Sequence, residues 1–152
     1  MEIVIGILGL LIALLGWRIS YLQNKMTEKE VKFKDFDRNF AAHQKLEKYI
    51  ITITKGRITL NDTIRFDEEI KDFKYVFSKE INDFSQTVRS FGINLAILND
   101  KISLLSNSEM TKDEFDERKI LMSEKSELTK KAFIELSSEL TFIFKPLLMI
   151  NQ

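Results

Sequence analysis

The sequence predicts an all-α protein: a single N-terminal transmembrane helix, followed by a long-helix antiparallel bundle of three helices that self-association would enlarge. Three observations support this fold class. The run from Ile3 to Trp17 holds no charged side chain. Apolar residues recur every three or four positions through most of the remaining chain. One proline and five glycines are the few helix breakers in 152 residues.

The first predicted element is a transmembrane helix over residues 3–22. A helix from Ile3 to Leu22 is about 30 Å long, which matches the hydrocarbon thickness of a bilayer. Gly9 and Ala13 form a small-xxx-small pair, which predicts a contact between two such helices in the membrane. The competing interpretation is a buried helix of a bundle, because the fully apolar run is shorter than about 18 residues.

The end of this helix carries the residues expected at a membrane interface. Trp17 and Tyr21 are amphipathic rings, and Arg18 is long enough to reach the headgroups. Basic residues then follow the run at Arg18, Lys25, Lys29, Lys32, Lys34 and Arg38. Because positive flanks stay on the cytoplasmic side, we expect a single-pass protein of a bacterial inner (plasma) membrane. Its N-terminus would lie outside, and the helical domain of residues 23–150 would lie in the cytoplasm.

The first helix of that domain is predicted at about 24–54. Its candidate buried stripe is Phe33, Phe36, Phe40, His43, Leu46, Ile50 and Ile53. Two alternatives stay open. Thr27 and Glu30 have the spacing of a capping box, which would break the chain near Asn24. The β-branched residues on both sides of Lys55-Gly56 are compatible with a short hairpin.

The second helix is predicted at about 62–106, with Asp62 or Asn61 as its N-cap. Its apolar spacing is continuous, and its members are Phe66, Ile70, Phe73, Phe77, Ile81, Phe84, Val88, Phe91, Leu95, Leu98, Ile102 and Leu105. Gly92 and Asn94 are poor helix formers and mark the expected bend. The spacing after Ile81 is that of a heptad seam, but the many phenylalanines favour a bundle over a dimeric coiled coil.

The third helix is predicted at about 111–145. Thr111 and Glu114 have the spacing of a capping box, and Pro146 should end or kink the helix. Its candidate buried face is Phe115, Met122, Leu128, Ala132, Leu136, Leu140, Ile143 and Leu147. The short turn before it predicts that helices two and three are antiparallel neighbours.

The composition argues against an enzyme. The chain has no cysteine and one histidine, so neither a thiolate centre nor a multi-histidine metal site is expected. No glycine-rich phosphate loop occurs, and acidic clusters at helix starts are explained by the helix dipole. With 23 basic and 23 acidic residues, no global charge favours nucleic acid. We expect no catalytic residue, no metal, no cofactor, no nucleic acid and no small-molecule substrate.

Two resemblances accompany these patterns. The segment from Ala42 to Leu46 slightly resembles the helix of histidine phosphotransfer domains, which implies a phosphoacceptor role for His43. The competing interpretation is a histidine at the edge of the apolar stripe. The chain also resembles bacterial proteins of uncharacterised function that carry a membrane helix ahead of a cytoplasmic α-helical domain. That resemblance is carried by Trp17-Arg18, by Tyr75 to Ile81, and by Phe144-x-Pro-Leu-Leu.

These features predict a membrane-anchored, non-enzymatic interaction or scaffold module. Its expected partners are the lipid bilayer and either a second protein or its own copies. The alternative function is a small membrane-active effector, toxin-like or holin-like, that oligomerises through Gly9 and Ala13. A histidine phosphotransfer module is the third hypothesis.

Overall fold

A computed structural model describes the backbone of residues 2–105 and 110–149, and the side chains of residues 13–105 and 110–149. Its elements are α1 (Glu2–Thr54), α2 (Leu60–Ile70), α3 (Phe73–Val76), α4 (Lys79–Leu104) and α5 (Lys112–Leu148). Within these ranges no strand occurs, so the predicted helical bundle is confirmed and the hairpin near Gly56 is not formed. The chain divides into two compact units, Met1–Arg38 and Asn39–Gln152.

The predicted transmembrane helix at residues 3–22 is wrong. Across the described residues, the structure contains no helix with enough length and apolar character to cross a membrane. The fully apolar run ends at Trp17, and a helix of its length measures about 22 Å, against about 30 Å for the bilayer core. The predicted inner-membrane location, with an outside N-terminus and a cytoplasmic domain, was inferred from that helix. It is wrong for the same reason.

Helix α1 is a single helix of 53 residues. The capping box expected at Thr27 and Glu30 is absent, because the Thr27 hydroxyl donates to the Gln23 carbonyl inside the helix, at 3.0 Å. The helix ends at Thr54 and is followed by Gly56, whose φ of 66° lies in the left-handed region that glycine adopts without steric cost.

The single helix predicted at 62–106 is three helices. Helix α2 begins at Leu60, two residues before the predicted start at 62, because Thr59 caps it and shares a reciprocal capping box with Asp62. Phe77 is extended and Ser78 caps α4, so the chain breaks at this point. Gly92 produces no break, since α4 continues through it. The break at Phe77 falls where Phe73, Phe77 and Ile81 follow one another at two successive intervals of four residues. A heptad seam alternates intervals of three and four residues, so the apolar pattern departs from a heptad at this point.

Helix α5 begins with the predicted capping box, in which the Thr111 hydroxyl accepts from the Glu114 amide and the Glu114 carboxylate accepts from the Thr111 amide. It continues through Pro146 and ends at Leu148. At its last turn the amide of Met149 donates to the carbonyl of Lys145, at 3.2 Å.

The core lies in the second unit, where α4 packs against α2, α3 and α5. Its largest fully buried side chains are Phe84, Phe144, Leu46, Ile53, Ile58, Ile81, Leu95, Leu136 and Val88. Several predicted core residues do not belong to it. Phe33 and Phe40 on α1, and Phe115 and Met122 on α5, are exposed. The apolar spacing therefore continues along α1 and α5 beyond the residues that the core buries.

Candidate interaction surface

The first unit exposes large apolar side chains over about five turns of helix α1. We call this set the α1 surface, and its members are Leu14, Leu15, Trp17, Ile19, Tyr21, Leu22, Met26, Val31 and Phe33. Trp17 is 71% exposed, and its ring stacks on that of Tyr21 with 6.2 Å between centroids. Such a concentration of exposed apolar area is unusual for a monomer and is typical of an interaction site.

The residues predicted at a membrane interface all fall on or beside this surface. Trp17, Arg18 and Tyr21 are exposed on the same helix turns, and Ala13 is exposed as well. No heavy atom lies within 4 Å of the position a Cβ would take at Gly16. The predicted contact pair Gly9 and Ala13 is only half visible, because Gly9 lies outside the residues whose side chains are described.

Charged residues of both signs lie around the last three members of the α1 surface, Met26, Val31 and Phe33. Basic residues occur at Lys25, Lys29, Lys32 and Lys34, and acidic residues at Glu28, Glu30, Asp35 and Asp37. Arg38 donates to Asp35 at 2.9 Å, one helical turn away. An exposed pair of this kind stabilises by at most about 1 kcal/mol. The mixed charge keeps the helix solvated without selecting an anionic or a cationic ligand.

The second unit has a groove of about 370 Å³ between α4 and α5. Leu98 and Leu128 supply apolar lining, and Lys101, Glu124 and Lys131 supply charges of both signs. A pocket that binds a small molecule normally brings a few polar groups together in an enclosed apolar space. These charges lie along an open groove, so its chemistry indicates no particular small molecule.

Tyr49 forms the most constrained polar contact of the bundle. Its hydroxyl donates to Thr63 Oγ1 at 3.1 Å, and the Thr63 hydroxyl donates in turn to the Thr59 carbonyl at 3.2 Å. The ring lies parallel to that of Phe66, with 3.8 Å between centroids. Burial raises the pKa of Tyr49, and the hydrogen bond to Thr63 opposes that rise. Every polar atom of this junction is used inside the fold, which is typical of a structural tyrosine.

Gly92 explains how this ring fits. A Cβ at Gly92 would lie 2.8 Å from Tyr49 Cζ and 2.9 Å from Cε1, closer than side-chain carbons approach. Helix α4 therefore lies directly against the hydroxyl end of the Tyr49 ring. A glycine in the middle of an apolar helix was the available signal for this contact, because glycine costs about 1 kcal/mol there and needs a packing reason.

Two further polar contacts tie α4 to its neighbours. The Arg89 guanidinium donates to both carboxylate oxygens of Asp67 on α2, with Nη2 at 2.9 Å from Oδ2. The hydrogen bond to Asp67 raises the pKa of Arg89. Asn99 Nδ2 donates to the carbonyls of Gly56 and Ile58, at 3.3 and 2.7 Å. Sequence reasoning missed both contacts, because each joins residues more than twenty positions apart.

His43 packs at the edge of the core. Its ring meets that of Phe144 edge-on, with 5.3 Å between centroids, and its side chain is 21% exposed. Its Nδ1 is buried without a hydrogen bond and lies 3.8 Å from a carboxylate oxygen of Glu47. A phosphoacceptor nitrogen must be reached by a donor protein, and of the two ring nitrogens Nδ1 is covered.

The acidic residues at helix starts act within the fold. The Thr59 hydroxyl lowers the pKa of Asp62 by hydrogen bonding, and the Thr111 amide does the same for Glu114. Over the described part of the chain, no three histidine, cysteine or acidic side chains come together as metal ligands would.

Comparison with known proteins leaves the geometry as the basis for a functional argument. No protein-family model matches the chain, and neither a curated protein nor a solved structure matches it. The resemblance to bacterial single-span membrane proteins is not tested by these comparisons.

Proposed function

We propose that this protein is a non-enzymatic helical interaction module that binds protein through the α1 surface. The observation that carries the proposal is the exposure of nine large apolar side chains between Leu14 and Phe33 on one helix. Each such side chain gains about 1.5–3 kcal/mol when it is fully buried. A protein partner that covers even three or four of them would therefore be bound with useful affinity, after the entropic cost of association.

The distribution of apolar residues around the helix supports the same function. A helix of a globular protein normally keeps its polar side toward water and its apolar stripe toward a core. Trp17 and Leu22 lie about 140° apart around α1, and both are exposed. This part of α1 therefore has apolar residues on more than one side, as a helix does when other helices cover it.

The second unit supports a non-enzymatic role. Its main polar contacts all act within the fold: Tyr49 joins α1 to α2, Arg89 joins α4 to α2, and Asn99 joins α4 to the loop between α1 and α2. The toxin-like or holin-like alternative required a transmembrane helix, and the described residues contain none. No observation favours the phosphotransfer hypothesis, because His43 packs against Phe144.

The test is the association of the full chain, measured by light scattering over a range of concentrations and by cross-linking. We expect a species larger than one chain, or a captured protein partner. The double variant Trp17→Glu/Leu22→Glu should abolish that association, because it places charge on two sides of the α1 surface. The matched control is Phe142→Glu, which changes an apolar residue of α5 that is 82% exposed.

Two results would contradict the proposal. One is a chain that stays monomeric at all concentrations and captures no partner. The other is an association that the double variant leaves unchanged or that the control variant abolishes instead.

A further inference from the structure

We propose that the partner of the α1 surface is a second copy of this chain, bound as a parallel, in-register, two-stranded coiled coil over residues 15–37. This inference rests on the proposed function, since its interface is the part of the α1 surface formed by Leu15, Ile19, Leu22, Met26 and Phe33. It adds the identity of the partner, the relative direction of the two helices and their register.

The first argument is a heptad seam on α1. Alternating steps of four and three residues connect Leu15, Ile19, Leu22, Met26, Lys29 and Phe33. In heptad notation Ile19, Met26 and Phe33 occupy a positions, and Leu15, Leu22 and Lys29 occupy d positions. All five apolar members of the seam are at least half exposed. The same spacing continues in the sequence to Phe36 and Phe40.

The second argument is the charge on either side of that seam. The g positions hold Arg18, Lys25 and Lys32, which are all basic, and the e positions hold Gly16, Gln23, Glu30 and Asp37, of which two are acidic. In a parallel pair, each g residue faces the e residue of the following heptad in the other chain. Lys25 of one copy would then face Glu30 of the other, and Lys32 would face Asp37.

The charge pattern also determines which arrangement is excluded. In an antiparallel pair, g positions face g positions and e positions face e positions. Two copies of this helix would then oppose lysine to lysine and carboxylate to carboxylate, which is repulsive. A parallel pair gives four attractive contacts, two on each side of the seam. The complementarity lies within one helix, so a second copy satisfies it without any other protein.

Lys29 sets the register. It is the single charged residue among the seam positions from Leu15 to Phe33, and a lone polar residue at a core position specifies register at some cost in stability. In register, the two Lys29 side chains meet at one level and extend to solvent along the helix edges. A shift by one heptad would place each lysine between apolar residues of the other copy, such as Leu22.

A cysteine experiment tests direction and register in the full chain. The protein has no cysteine, so Ile19→Cys and Phe33→Cys each introduce a single thiol, about 21 Å apart along the helix. We expect each variant, oxidised separately, to form a disulfide-linked dimer. An antiparallel pair can bring a residue next to itself at only one level. Self-linking at both positions therefore requires a parallel, in-register pair.

Val31→Cys is the matched control. Val31 is 53% exposed, which is close to the 50% of Leu22, but it lies half a turn away from Leu22 on the opposite side of the helix. It should not form the disulfide-linked dimer. Failure of either seam variant to self-link in a chain that does associate would overturn the parallel arrangement and leave the proposed function standing. A chain that stays monomeric but captures another protein through the α1 surface would overturn this inference alone, and a chain that neither self-associates nor captures a partner would overturn both.

A charge exchange tests the pairing independently and leaves the seam intact. Glu30→Lys/Asp37→Lys turns all four attractive contacts into repulsive ones, and Lys25→Glu/Lys32→Glu does the same from the other side. We expect each double variant to weaken self-association about 100-fold, and an equimolar mixture of the two to recover the wild-type affinity. Unchanged self-association of both variants would overturn the inference.

Discussion

At the scale of single residues, the bundle depends on one missing side chain. Gly92 has no Cβ, and the space is taken by the ring of Tyr49, which stacks on Phe66 and donates to Thr63. The junction therefore joins α1, α2 and α4 at one point. Sequence patterns treat a glycine in a helix as a weak position, whereas here it permits a close approach between two helices.

Gly92→Ala should destabilise the bundle. Alanine is normally better than glycine inside a helix by about 1 kcal/mol, but the new methyl group would overlap the Tyr49 ring. Overpacking a core typically costs about 1–3 kcal/mol, so we expect a net loss of stability in urea denaturation. Gly16→Ala is the control, because its Cβ would meet no atom within 4 Å. A Gly92→Ala variant as stable as the wild type would show that the ring moves aside without cost.

At the scale of elements, caps decide where the helices of the second unit begin. Thr59, Ser78 and Thr111 each accept a backbone hydrogen bond at the start of a helix. Thr27 has the same local spacing to a glutamate but lies in the interior of α1, where its hydroxyl bonds back to the preceding turn. At Thr27 the local spacing of a capping motif does not start a helix, because the helix already continues through the preceding residues.

Acid should weaken these caps. The folded pKa values of Asp62 and Glu114 are lowered by hydrogen bonds from Thr59 and Thr111. Such groups stabilise the fold above their unfolded pKa of about 4, and that stability is lost as the pH falls through the lower folded pKa. Thr59→Ala should cost about 1 kcal/mol at neutral pH, and clearly less at a pH below the folded pKa of Asp62.

Denaturant midpoints at neutral pH and at acid pH measure this difference. Thr27→Ala is the control, because its hydroxyl caps no helix, and its midpoint should change little at either pH. If Thr59→Ala lost the same stability at both pH values, the Asp62 carboxylate would have no part in the cap.

At the scale of the whole molecule, the two units differ in how they use apolar residues. The second unit buries its apolar stripes in a common core, including Leu46, Leu95 and Leu136. The first unit carries as strong an apolar pattern, but Leu22 and Phe33 remain exposed. The same apolar pattern that suggests a membrane helix is the one expected at the interface between protein chains that we propose.

Stability and helix content should therefore rise with protein concentration. Association that occurs only in the native state stabilises it by mass action, and an isolated amphipathic helix gains most of its stability from packing. We expect the thermal midpoint and the far-ultraviolet helix signal of the full chain to increase over a 100-fold range of concentration. Leu22→Glu should remove that dependence, and Val31→Glu should preserve it. A wild-type signal independent of concentration would contradict self-association.

The α1 surface could be anticipated in part from the sequence. Trp17, Arg18 and Tyr21 were expected at an interface, and they are exposed beside one another. The expected covering was lipid, because a run of apolar residues looks alike whether lipid or protein covers it. The seam from Leu15 to Phe33 and its flanking charges are visible in the sequence. The structure adds that Phe33 is exposed, which leaves this seam open to a partner.

The sequence by itself determined the helical class, the capping box at Thr111 and the absence of thiolate chemistry, because these depend on residue types and on spacing within a few turns. Only the tertiary structure decided that Gly92 receives Tyr49, that Arg89 pairs with Asp67 and that the chain breaks before Ser78. Those outcomes depend on which distant residues meet. Periodicity specifies the face that a helix presents, whereas the shape and volume of the opposing elements specify what that face contacts.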